Sequence, residues 1–172
     1  MSRTHVLRRA MLTGAALTLA ATGLAACGGS SDSSGGAVTI ADSWTKATDG
    51  PMTGSFGILS NSSSSDITVT AATSPVAGMV ELHETVMVDG QMQMQQDPEG
   101  FTIPAGGSFT LEPGGYHVML MSLTGAIAPG QEVPITLTLS NGESVTYTTV
   151  AKDFAGGNES YEPSPSMSMS MG

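Results

Sequence analysis

The sequence predicts an all-β domain, a Greek-key β-barrel or sandwich. Three observations carry this. Nine short segments have β-branched or alternating patterns, turn residues separate them at close intervals, and helical periodicity is hard to find beyond the N-terminal region. In order, Val38–Trp44 opens the series with Val38 and Ile40. Gly54–Ser60 and Ile67–Ala72 follow, split by the polar run from Asn61 to Asp66. Met79–Val88 and Gln91–Gln95 flank Asp89-Gly90, a two-residue hairpin signal. Ser108–Glu112 lies between the turns Pro104 to Gly107 and Pro113 to Gly115. His117–Leu123 comes next. Ile135–Leu139 lies after Pro129-Gly130, and Ser144–Val150 lies after Asn141-Gly142. A domain of this size, residues 37–153, buries a small but sufficient core.

The rest of the 172-residue chain reads as targeting and flanking sequence. Arg3, Arg8 and Arg9 precede an apolar run from Ala10 to Ala21, too short to span a membrane and followed by small residues. Residues 1–26 therefore read as a secretory signal peptide. Arg8-Arg9 leaves twin-arginine export open beside the ordinary secretory route. Leu24-Ala25-Ala26-Cys27 resembles a bacterial lipobox, in which the cysteine becomes the first mature residue and carries lipid. That resemblance implies an extracytoplasmic protein held at the cell membrane through Cys27. Residues 27–36 then form a Gly/Ser tether, and residues 154–172 a disordered tail ending in Met167, Met169 and Met171.

Charge and cysteine content exclude several classes. After cleavage, Lys46 and Lys152 stand against fifteen carboxylates, a net of −13, so nucleic acid is not an expected partner. Cys27 is the single cysteine, which rules out an internal disulfide, iron–sulfur clusters, cysteine-ligated zinc and a blue-copper electron-transfer site. No Ser-His-Asp motif, catalytic carboxylate pair or phosphate loop stands out, so an enzyme is not expected. A monomer is.

Histidine and methionine placement is more informative. A two-residue turn at Asp89-Gly90 sets Val88 opposite Gln91, Met87 opposite Met92 and Thr85 opposite Met94. Side chains two apart share a face, so His83, Thr85, Met87, Met92 and Met94 project together, with His83 diagonal to Met94. The segment His117–Leu123 reads as a half-buried strand. Tyr116, Val118 and Leu120 suit the core, while His117, Met119, Met121 and Leu123 line the other face. Two imidazoles with two thioethers suit Cu(I): thioether sulfur is soft and neutral, and imidazole also suits copper. The cluster offers no carboxylate cage for calcium or magnesium. Single methionines are ordinarily gap-fillers. Met52 and Met79 are read that way, and Met87, Met92 and Met121 stay open between packing, a surrounding shell and accessory ligation. Met167, Met169 and Met171 are a second candidate accessory set.

These residues also carry a resemblance. "SPVAGMVELHETVMVDGQMQMQ" and "FTIPAGGSFTLEPGGYHVMLMSL" make Ala37–Ala151 similar to the periplasmic copper chaperones of the PCu(A)C type, which deliver copper toward cytochrome c oxidase. That family's pattern is His, ten residues, Met, about twenty-one residues, His, any residue, Met. Here ten residues separate His83 from Met94, twenty-two separate Met94 from His117, and Met119 follows. The additional residue falls in Gln95–Gly100, a loop, which leaves the ligand faces intact. The resemblance implies a cupredoxin-like Greek-key fold and a Cu(I) site of His83, Met94, His117 and Met119. It also implies a role in oxidase assembly, with an acceptor such as oxidase subunit II or another copper chaperone. A copper-sequestering lipoprotein and a metal-free adhesion or scaffold domain are the competing classes.

Overall fold

The computed structural model describes residues 36–156 and 160–161. The signal peptide, Cys27, the tether up to residue 35 and the tail methionines Met167, Met169 and Met171 lie outside the described residues. Eleven strands and no helix make up the described part: β1 (Val38–Lys46), β2 (Met52–Asn61), β3 (Ile67–Thr73), β4 (Ala77–Val88), β5 (Gln91–Gln96), β6 (Phe101–Ile103), β7 (Ser108–Leu111), β8 (His117–Leu123), β9 (Glu132–Leu139), β10 (Ser144–Lys152) and β11 (Ser160–Tyr161). They hydrogen-bond in the order β11-β5-β4-β8-β2-β1-β10-β9-β3-β6, with β7 also on β2. Pairing is antiparallel except for β1 with β10 and β11 with β5.

The sheet is not closed by hydrogen bonds, since β11 and β6 end the path. It curls instead around one core, with β3 approaching β4 and β6 approaching β7 and β2. The all-β, cupredoxin-like barrel or sandwich reading of the sequence describes this architecture. Val38, Leu59, Val69, Leu82, Phe101, Ile103, Val118, Leu120, Ile135 and Leu137 are among the side chains that fill it. Burying an aliphatic side chain of this size contributes about 1.5–3 kcal/mol. A buried hydroxyl cluster ties the parallel junction together: Thr45 Oγ1 lies 3.1 Å from Ser55 Oγ and 2.6 Å from Thr149 Oγ1, linking β1, β2 and β10. Close by, burial pushes the Tyr147 hydroxyl far above its ordinary range.

The Asp89-Gly90 turn forms as the sequence indicates. Both residues have positive φ, 50° and 81°, as a tight hairpin with the right twist requires. The register that follows sets Val88 against Gln91, Met87 against Met92 and Thr85 against Met94.

Four features differ from the sequence reading. Strand β8 is buried on both faces rather than one: His117, Met119 and Met121 are nearly as excluded from water as Val118 and Leu120. Tyr116 falls before β8 and is 38% exposed rather than core, lying tilted against Phe109 and edge-on to Phe101. The three-residue β6 was not expected. In the tail read as disordered, Ser160–Tyr161 forms a strand beside Gln93 and Met94 of β5.

The loop from Asp97 to Gly100 is held by Asp97 Oδ1, which accepts from the Glu99 and Gly100 amides. Gly100 has φ 77°, and a Cβ there would lie 2.1 Å from the Val69 carbonyl oxygen. Gly90 is also left-handed but has open space around it. A left-handed alanine costs about 1–2 kcal/mol. Gly90→Ala is therefore expected to cost about that much, and Gly100→Ala at least about 2 kcal/mol more, because backbone must move. Urea unfolding of the two variants measures the difference. Equal losses would show that the loop shifts freely.

Candidate metal centre

Alternation along β4 puts Leu82 and Val80 against the core and leaves Met79, Glu81, His83, Thr85 and Met87 on the opposite face. Strand β8 pairs with β4 so that His117 stands opposite His83, Met119 opposite Glu81 and Met121 opposite Met79. Strand β5 places Met94 opposite Thr85, one pair along from His83. On the far side of β8, β2 sets Gly54 opposite Met119 and Met52 opposite Met121. One face of three adjacent strands, β5, β4 and β8, thus gathers His83, Met94, His117 and Met119.

His83 is fully buried, and His117 and Met119 are 3% exposed. Met94 is half-buried. The two imidazole rings lie 5.6 Å apart at an interplanar angle of 65°. Each is held by one nitrogen. His83 Nε2 is 2.9 Å from Glu81 Oε2, and His117 Nδ1 is 3.1 Å from the Gly115 carbonyl oxygen. Carbonyl and carboxylate oxygens accept, so these nitrogens carry protons, and as neutral imidazoles the two rings take opposite tautomers. The lone pairs then reside on His83 Nδ1 and His117 Nε2. The Gly115 oxygen also accepts from the Thr85 amide and hydroxyl, both at 3.2 Å, which locks the start of β8 to β4.

A cavity of about 180 Å³ opens onto His117, Met119 and Met94. Phe56 forms part of its wall, 6.1 Å from the His117 ring, and Trp44 backs Phe56 at 4.6 Å. Gly54 permits this arrangement, because a Cβ there would meet the Phe56 ring at 2.8 Å. Lys46 also lines the cavity and donates through Nζ to the Gly156 carbonyl, 2.5 Å away.

Met87 and Met92 lie one pair beyond Met94 on the same face, 65% and 38% exposed, so core packing does not account for them. Met79, read from sequence as core filler, is 46% exposed. Met121 is buried and Met52 half-buried. Sequence reasoning did not single out Glu81, although its position two residues before His83 already places it on the His83 face. Gly115 and Gly54 gave no comparable signal, since their roles arise from contacts across strands.

The fold is one shared with solved PCuAC domains. The chain belongs to the LpqE-like family, whose profile matches residues 38–151. It is 41% identical over 125 residues to Lxx21020 of Leifsonia xyli subsp. xyli (strain CTCB07), which carries a lipoprotein name; the match covers 73% of this chain and 75% of that one. Among solved structures, it is similar to the apo form of DR1885 from Deinococcus radiodurans, with a TM-score of 0.55 and 27% identity, covering 91% of this chain and 99% of that one. It is also similar in fold to the copper-bound PCuAC domain from PmoF2, with a TM-score of 0.59 and 18% identity, covering 72% and 98%.

Glu81→Ala is expected to free the His83 ring to exchange tautomers, moving its ring ¹⁵N signals while those of His117 stay in place. Glu81→Gln keeps an acceptor oxygen and preserves the original signals. Unchanged His83 signals in Glu81→Ala would show that another contact sets the tautomer.

Proposed function

We propose that this protein is an extracytoplasmic, lipid-anchored copper chaperone. His83, Met94, His117 and Met119 hold one Cu(I) ion, which passes by ligand exchange to an acceptor such as cytochrome c oxidase subunit II or another copper chaperone. The observation that carries the reading is the pair of buried, adjacent imidazoles, each fixed by one nitrogen to an acceptor, with a thioether on either side. Two neutral imidazoles and two thioethers make a soft site suited to Cu(I). The Glu81 carboxylate, held against His83, offsets the positive charge of the ion. The copper-bound states of the PmoF2 domain and of DR1885, the latter 28% identical with a TM-score of 0.52, support copper as the cargo.

Release needs no turnover chemistry. Met94 is the most exposed of the four ligands and lies nearest the hairpin tip, so it is the donor an acceptor replaces first. Met87 and Met92 extend the thioether face outward as accessory donors. A supplementary role for Met167, Met169 and Met171 is proposed on composition alone. The lipobox and the lipoprotein name of the relative support lipidation of Cys27. Storage without delivery is the second reading, favoured by the burial of His83 and Met119, which slows release.

Competition between the full chain, carrying Cys27→Ser in detergent, and a Cu(I) chelator tests the site. His117→Ala and Met119→Ala are each expected to weaken Cu(I) binding at least about 10–100-fold, the loss usual even for residues behind the ligands, with the fold retained. Unchanged affinity in either variant removes that residue from the site. Mixing the loaded protein with apo subunit II then separates delivery, in which copper moves, from storage, in which it stays.

A further inference from the structure

The described residues contain seven methionines, and all seven fall on the face that carries His83 and His117, while the core cluster on the opposite face contains none. Gap-filling would scatter them through the core. Three of the seven fall at one level. Met121 of β8 stands opposite Met79 of β4 on one side and opposite Met52 of β2 on the other. Directly opposed side chains have Cβ atoms about 4.5–5.5 Å apart, within the reach of flexible thioethers. We infer that Met52, Met79 and Met121 form a second, weaker Cu(I) site that feeds the first through Met119.

Burial supports this direction of flow. Met79 is 46% exposed and open to an incoming ion, Met52 is half-buried, and Met121 at 4% exposure forms the floor. Met119 is the next residue on this face of β8, about 6.6 Å further along. The cavity lined by Met119 and His117 also reaches Met52, so one member of the trio opens onto the space of the first site. Three thioethers satisfy Cu(I) but bring no imidazole. The exposed Met79 must also give up rotamer freedom to bind. Both facts make this site the weaker. Copper then moves downhill as a Cu–S bond to Met79 or Met52 breaks and one to Met119 forms. The donors are neutral and the ion stays Cu(I), so no proton or electron changes hands.

The inference rests on the copper reading above for the identity of the metal. Its test is an anaerobic Cu(I) titration of the full Cys27→Ser chain in detergent, labelled at the methionine methyl groups and followed by NMR. The Met94 and Met119 methyls are expected to shift with the first equivalent. Those of Met52, Met79 and Met121 are expected to shift together with a second, bound on the order of tenfold more weakly or less tightly still. Met79→Leu conserves volume and should abolish the joint shift of Met52 and Met121 while leaving the first equivalent within about twofold. His117→Ala should lose the tight phase and keep the trio's response. If Met94 and Met119 respond and the trio does not, or if Met52 and Met121 still shift together in Met79→Leu, the second site is overturned and the first stands. If no methyl responds, both fall.

Discussion

Strands β4 and β8 meet in an antiparallel register that sets His83 against His117, and the rest of the site inherits its geometry from that pairing. A slip of one residue would send every methionine and histidine of β8 into the core and bring Val118 and Leu120 out. What prevents it lies on the other face, where Leu82, Val118 and Leu120 are packed into the core and nearly or wholly excluded from water. The ligand face is positioned by the hydrophobic face behind it. The Gly115 carbonyl, which receives Thr85 and His117 together, fixes the same register from the end of the strand.

Burying two imidazoles opposes folding unless they are hydrogen-bonded, at about 1–3 kcal/mol for each unsatisfied group. The protein meets one nitrogen of each ring with an acceptor from its own backbone or a neighbouring carboxylate. Those two bonds satisfy part of the polar demand, and they also decide which nitrogen each ring offers to a ligand. Stability and readiness to bind therefore come from the same contacts. The Gly54–Phe56 arrangement adds an apolar wall to the cavity on the His117 side without adding another polar group.

Local sequence told much about the hairpin and little about its neighbours. Asp89-Gly90 was enough to place Met87 against Met92 and Thr85 against Met94, because the turn leaves the backbone only one compatible register. Pairing between β4 and β8 is different: His83 and His117 are far apart in the chain, and no turn chemistry connects them. Alternation cannot show the double burial of β8 for the same reason, since it reports one buried face and says nothing of what lies over the other. Tyr116 looked like core by the same alternation, yet the strand begins one residue later. Met79 looked like filler because exposure of an apolar side chain is invisible to composition. Strand β11 sits in a Gly-, Ser- and Pro-rich stretch whose pairing comes from the β5 edge it meets and from no pattern of its own.

The aromatic wall has an optical consequence. Trp44 is the single tryptophan of the chain. It lies against Phe56 at 4.6 Å and Phe154 at 5.2 Å, and Phe56 in turn lies 6.1 Å from the His117 ring. Phe56 thus stands between the indole and the imidazole. A reorientation of the His117 ring is expected to reach Trp44 through that one intervening ring and to register in its emission.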